Sequence, residues 1–168
     1  MKMLDPKSID LVIYHAECID GFSACYSAWK LLGDNAVYHA AKHGDPPPDV
    51  TGKTVAIVDF SYPKAIIQRL QSVAKGLIIL DHHKTAKDDL EKLDCAIFDM
   101  NHSGAILSWN FFHPDKEPPK FIEMVEDVDL WKFKIDDTKD FVAFLYNEPY
   151  DFKLYDSYSD AKKLAEVV

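Results

Sequence analysis

Cysteine is scarce in this chain. Cys18, Cys25 and Cys95 are odd in number and show no Cys-x-x-Cys spacing, which excludes a disulfide framework and a zinc ribbon. They read as small buried hydrophobes, and Cys18 has no base partner that would make it a nucleophile. Long apolar runs are also missing. Nothing approaches the ~20 apolar residues of a membrane-spanning helix. The opening "MKMLDPKSID" has no apolar signal core, so a cytoplasmic protein without a membrane partner is expected. Basic residues are in the minority, 19 Lys and Arg against 28 Asp and Glu, for a net charge of -9 over 168 residues. That balance excludes a long basic groove for nucleic acid. It leaves room for an acidic pocket that loads divalent cations and takes a phosphate through them. No repeat or low-complexity tract is present.

What the chain does contain is an alternation of short apolar runs and helical patterns. "IDLVIYH" (9–15), "AVYHA" (36–40), "TVAIVDF" (54–60), "LIIL" (77–80) and "CAIF" (95–98) read as strands. Helical spacing occupies 22–33, a segment from Pro63 to Gly76, 103–112 and 119–128, while 138–168 is weakly patterned. "HGDPPPDVTGK" (43–53) can only be loop. Strands apolar throughout, alternating with helices, predict a doubly wound α/β fold, a mainly parallel sheet with helices on both faces. Residues 1–135 would form one such domain and 136–168 a helical or irregular extension of it.

In such sheets ligands bind beyond the carboxyl ends of the strands. Here the first strand leads into His15, Glu17 and Asp20, and the strand at 54 into Asp59. The strand at 77 leads into Asp81, His82 and His83, and the strand at 95 into Asp99. Carboxylates converging in one crevice repel unless cations compensate them. Imidazole mixed with carboxylate suits manganese, iron or zinc over calcium or magnesium. Two such ions bridged by one carboxylate would activate water for phosphoryl displacement.

"HAECIDGFSA", "VAIVDFSYP", "LDHHKTA" and "VEDVDLW", with "NHSGAILSW" between the last two, follow one another over most of the chain. In that order they resemble the motifs of the DHH phosphoesterase family, closest to the subgroup whose first motif reads His-Ala-Asp-Cys-x-Asp-Gly. The resemblance implies a manganese-dependent hydrolase with two Mn2+, or Mg2+, Fe2+ or Zn2+ in their place. It would cleave a phosphodiester or phosphomonoester of a small nucleotide or short oligonucleotide. Alternatives are a pyrophosphatase or mononucleotide phosphatase, and a catalytically impaired metal- or nucleotide-binding module.

Carried over by position, His15, Asp20, Asp59, His82 and Asp127 would hold metal, with Asp59 bridging. His83 would face the phosphate or leaving group, with Asp81 behind it. Asp127 and Asp129 project about 200° apart on a helix, so only one can face the site, and Asp129 is the fallback. Glu17 stands where the subgroup has aspartate. Glu17 and Asp99 are further candidates for a metal or for support of its ligands. Ser103 and Gly104, at a helix start, and Lys84 are candidates for phosphate contact, although Ser103 also fits an ordinary N-cap. Ser61 is the expected cap of the helix starting near Pro63, which frees Asp59 for metal. His39, His43, His102 and His113 read as structural histidines, Trp131 and Phe133 as core aromatics, and Arg69 as an exposed helical residue. Nothing after Trp131 resembles the family's substrate-binding domain, so a catalytic part without that second domain is expected.

Overall fold

In the computed structural model, which describes residues 4–168, five strands form one parallel sheet. They are β1 (Leu11–His15), β2 (Val37–Ala41), β3 (Thr54–Val58), β4 (Gly76–Asp81) and β5 (Ala96–Phe98), in the order β2-β1-β3-β4-β5. The helices are α1 (Ile19–Leu32), α2 (Lys64–Val73), α3 (Lys84–Leu90), α4 (Gly104–Phe112), α5 (Lys120–Asp129), α6 (Thr138–Leu145), α7 (Phe152–Ser157) and α8 (Ala161–Ala165).

Strand pleating sorts the side chains by parity. Leu11, Ile13, Val55, Ile57, Leu77 and Ile79 face α2 and α3, where they bury Ile67, Leu70 and Leu90. Val12, Ala56, Val58, Ile78 and Leu80 face α1 and α4, packing against Ala24, Ala28, Leu107 and Phe111. The sheet is therefore covered on both faces, which is why its central strands show no polar alternation. A third cluster lies outside α1 and α4, where Phe22, Tyr26 and Trp109 meet Phe121, Phe141 and Tyr155. The weakly patterned tail thus folds into three short helices, of which α6 packs on α5 and α7 on α1. Tyr26 Oη donates to Asp156 at 2.8 Å, and Lys30 Nζ does so at 2.5 Å.

The strand order reverses between β1 and β3, so the crevice at their carboxyl ends is the topological switch point. Among the described residues no helix is long and apolar enough to cross a membrane.

Candidate metal centre

Three loops and the end of one helix supply the site. After β1, the chain turns through Glu17, at φ 56°, into Cys18, which caps α1 by accepting Gly21 N–H at 3.5 Å. Gly21 lies against the His15 carbonyl so closely that a Cβ there would collide with it. This brings Asp20, in the first turn of α1, to the mouth of β1. After β3, Asp59 takes the left-handed conformation at φ 51°, tolerable for Asp but uncommon for any residue with a Cβ. Gly104 lies against it, and a Cβ at 104 would come within 2.6 Å of Asp59 Oδ1. Gly104 and Ala105 N–H donate to the two oxygens of Asp20 at 2.7 and 2.9 Å, so the start of α4 fixes that carboxylate.

His82 is the hub. Its Nε2 lies 3.2 Å from Asp59 Oδ1, 3.4 Å from Asp20 Oδ2 and 3.6 Å from Asp129 Oδ2. The other oxygen of Asp59 is 3.8 Å from both His15 Nδ1 and Cys18 Sγ. Three donor sets result, each with its atoms within 4.8 Å: His15, Cys18 and Asp59; Asp59, His82 and His83; Asp20, His82 and Asp129. Asp59 belongs to two of them, one through each oxygen.

Burial raises the Asp20 carboxyl, the Asp59 charge adds to it, and its pKa reaches about 7 against the pull of His82. Burial acts on Asp59 the same way, but the neighbouring His15 and His82 rings outweigh it and hold Asp59 at about 2. Two neighbouring carboxylates split in this way because both cannot ionise freely. For His82, burial favours the neutral ring, yet Asp20 and Asp59 outweigh it and carry the pKa to about 11. Burial raises Asp129 as well. Burial, then the Asp59 charge, pushes Cys18 up to about 12, which keeps it a thiol and removes it as a nucleophile.

Divalent cations fit this donor set. His15 Nδ1 is buried and has no hydrogen-bond partner among the described residues. Three buried or half-buried carboxylates crowd one imidazolium, an arrangement that added positive charge relieves. Mixed nitrogen and oxygen donors match first-row transition ions.

Asp81 backs the site. It is 1% exposed, and its Oδ1 faces His83 Nδ1 at 2.6 Å while accepting His82 N–H at 2.8 Å. Ser61 Oγ donates to its Oδ2 at 2.6 Å. Ser61 is thus not a helix cap: the cap position of α2 is Pro63, with no side-chain bond, and the serine holds Asp81 instead.

Other expected residues fall elsewhere. Asp127 is no ligand. Its carboxylate accepts Lys134 and Ile135 N–H at 2.9 and 3.0 Å, and its carbonyl accepts Lys132 N–H at 2.8 Å. It clamps the turn after α5, and Asp129, two residues on, takes the place beside His82. Glu17 points out to Lys42 Nζ at 2.6 Å and joins no donor set. Ser103 caps α4, accepting Ile106 N–H at 3.3 Å, while its own N–H goes to Glu126 at 3.0 Å. With Gly104 N–H committed to Asp20, those amides serve the protein's own carboxylates, not a phosphate. Asp99 accepts Asn101 N–H at 2.8 Å within its own turn. Lys84 and Arg69 are exposed on α3 and α2. His113, with Nε2 2.9 Å from the Ser27 carbonyl, is the structural histidine expected.

His43, expected as a structural histidine, joins no donor set and packs at the edge of the site. Its ring stacks on Phe60 at 4.7 Å and lies 5.4 Å from His15. With Tyr62 and His83 it lines a cleft of about 270 Å³ beside the cluster. It sits in a Pro-rich loop with no periodicity, so only the tertiary fold reveals its neighbours.

No protein-family model matches the chain. Uncharacterized protein R106 of Acanthamoeba polyphaga mimivirus is 31% identical over 168 aligned residues, covering 89% of this chain and 40% of that protein. A crystal structure of an uncharacterized protein from Helicobacter pylori G27 superposes with a TM-score of 0.67 at 17% identity, over 92% of this chain and 55% of that one. This chain therefore spans less than two thirds of either relative, and the likeness to the solved structure establishes the fold.

Proposed function

We propose that this chain is a metal-dependent phosphoesterase acting on a phosphodiester or phosphomonoester of a small nucleotide or short oligonucleotide, with manganese as its metal. The observation that carries the reading is Asp59, whose two oxygens face two separate donor sets. His15 and Asp59, with Cys18 close by, would hold one cation, and Asp20, Asp59, His82 and Asp129 the other. Bound there, the cations supply a water activated near neutral pH and charge compensation for a phosphoryl group.

The protein's own groups do the rest. Asp20 is locked by two backbone amides and Asp59 by Gly104, so the carboxylates keep their positions when cations arrive. Asp81, pinned by Ser61, orients His83 and raises its pKa through their hydrogen bond. At neutral pH that ring carries more of its cationic form, suited to donate a proton or hydrogen bond to a phosphoryl or leaving-group oxygen.

The test is hydrolysis of bis-p-nitrophenyl phosphate and of dinucleotides with Mn2+ between about pH 7 and 9. His82→Ala and Asp59→Ala should abolish it while circular dichroism stays native. Absence of turnover on both substrates and of bound metal by elemental analysis would sink the reading. One observation favours a second reading, a metal-binding module without turnover: Glu17, the carboxylate that departs from the first motif, is tied to Lys42. Tight Mn2+ binding without hydrolysis would select it. Product analysis on pyrophosphate and mononucleotides separates the remaining enzymatic alternative.

A further inference from the structure

Three aromatic residues stand well exposed among those described: Trp131 at 78%, Tyr146 at 72% and Tyr150 at 41%. Trp131 and Tyr146 line one cleft. Trp131 meets Phe133 edge to face at 4.8 Å, and both line a shallow cleft of about 340 Å³ with Val128, Val142, Tyr146 and Lys139. The cleft adjoins the cluster through the chain: Trp131 follows Asp129 by two residues, and Val128, which also lines the cleft, precedes it by one. Trp131 and Phe133 were expected in the core. Instead the turn that carries them is built outward, with left-handed backbone at φ 57° and 47° held by the Asp127 clamp.

Exposed aromatics gathered in one cleft mark an interaction site. Its position points to an occupant. The acidic cluster, once loaded with cations, attracts an anion, and the ledge beside it offers π-faces to a flat, uncharged group. Lys139 Nζ, 4.6 Å over the Phe133 ring, adds positive charge on the ledge side, complementary to a phosphate. A ligand that is anionic at one end and planar at the other satisfies both halves at once.

We propose that Trp131 and Tyr146 stack the nucleobase of a phosphate ester whose phosphate is held at the metal centre, and so select aromatic esters over purely aliphatic ones. The inference rests on the phosphoesterase reading above. Stacking of this kind is sequence-tolerant, because every base has a π-face.

The test uses the full chain loaded with Mn2+ and three probes: AMP, ribose 5-phosphate and inorganic phosphate, titrated by calorimetry and by tryptophan fluorescence. AMP is expected to bind about ten-fold tighter than ribose 5-phosphate and to quench the exposed Trp131. In Trp131→Leu, an exposed position where the fold is kept, the quench disappears and the two affinities converge, while ribose 5-phosphate and Mn2+ affinities stay as in wild type. Equal affinities for AMP and ribose 5-phosphate in wild type would overturn the proposal, as would an AMP preference that survives Trp131→Leu combined with Tyr146→Leu. A ledge occupied by a second copy overturns it too, and shows as a dimer on gel filtration that Trp131→Leu dissociates. Phosphate binding without base preference sinks the ledge alone. Failure of all three probes sinks the phosphoesterase reading with it.

Discussion

His83 Nδ1 faces Asp81 Oδ1 at 2.6 Å, while Ser61 Oγ donates to the opposite oxygen of the same carboxylate at 2.6 Å. The imidazole is therefore oriented by a side chain that is itself held. Asp81→Asn removes the negative charge that raises the ring. In the metal-free protein the His83 pKa should fall, read from its ring protons by NMR. Activity should drop about ten- to a hundred-fold, the usual effect of losing such a supporting carboxylate.

Metal affinity should rise with pH. In the metal-free cluster Asp20 keeps its proton up to about 7 and His82 up to about 11, and both must release it to ligate. The sign follows from the raised values: below them protons compete with the cation, and the competition fades as pH climbs through 7 toward 11. Calorimetric titration of Mn2+ in two buffers of different ionisation enthalpy should report proton release. An affinity flat between about pH 6 and 9 would contradict this protonation pattern.

Gly104→Ala should damage the centre without touching a ligand. The added methyl meets the Asp59 side chain, with Oδ1 at 2.6 Å and Cγ at 2.7 Å. Overpacking of this kind costs roughly 1–3 kcal/mol, and relief can come only by moving Asp59. Thermal unfolding should show the loss, and Mn2+ affinity should fall with it.

Asp127 and Asp129 should separate stability from binding. Asp127→Ala leaves Lys134 and Ile135 amides without their acceptor, a loss of about 1.5–3 kcal/mol for a bond to a charged group. Mn2+ affinity should stay close to wild type. Asp129→Asn should do the reverse, weakening Mn2+ binding while relieving repulsion in the metal-free cluster. Urea denaturation and metal titration of both variants decide it.

Much of this architecture is legible in the sequence. The β-branched runs from 9, 54 and 77 match β1, β3 and β4 because a strand covered on both faces must be apolar throughout. The ligand residues at their ends could be placed by the switch-point rule. The choice between Asp127 and Asp129 could not, since it depends on which carboxylate finds backbone amides in a turn with two left-handed residues. Ser61 goes to Asp81 instead of capping a helix for a related reason: its partner lies on another strand, and spacing along one segment carries no information about it. The tail helices carry weak periodicity because each is short and is shaped by the helix it packs on, α5 for α6 and α1 for α7.

The order β2-β1-β3-β4-β5 sets β1, β3 and β4 side by side, whereas Asp129 comes from the end of α5, beyond the last strand in the chain. Three sides of the centre belong to the strand ends, and the fourth is supplied where α5 packs on α1 and α4. A cation that needs all four sides has little hold on a transition state in which α5 is still loose. Its stabilisation then falls mainly on the barrier to unfolding. Mn2+ should slow the unfolding limb of a denaturant chevron and leave refolding rates nearly unchanged, so that bound metal acts as a brake on opening and not as a nucleus for folding.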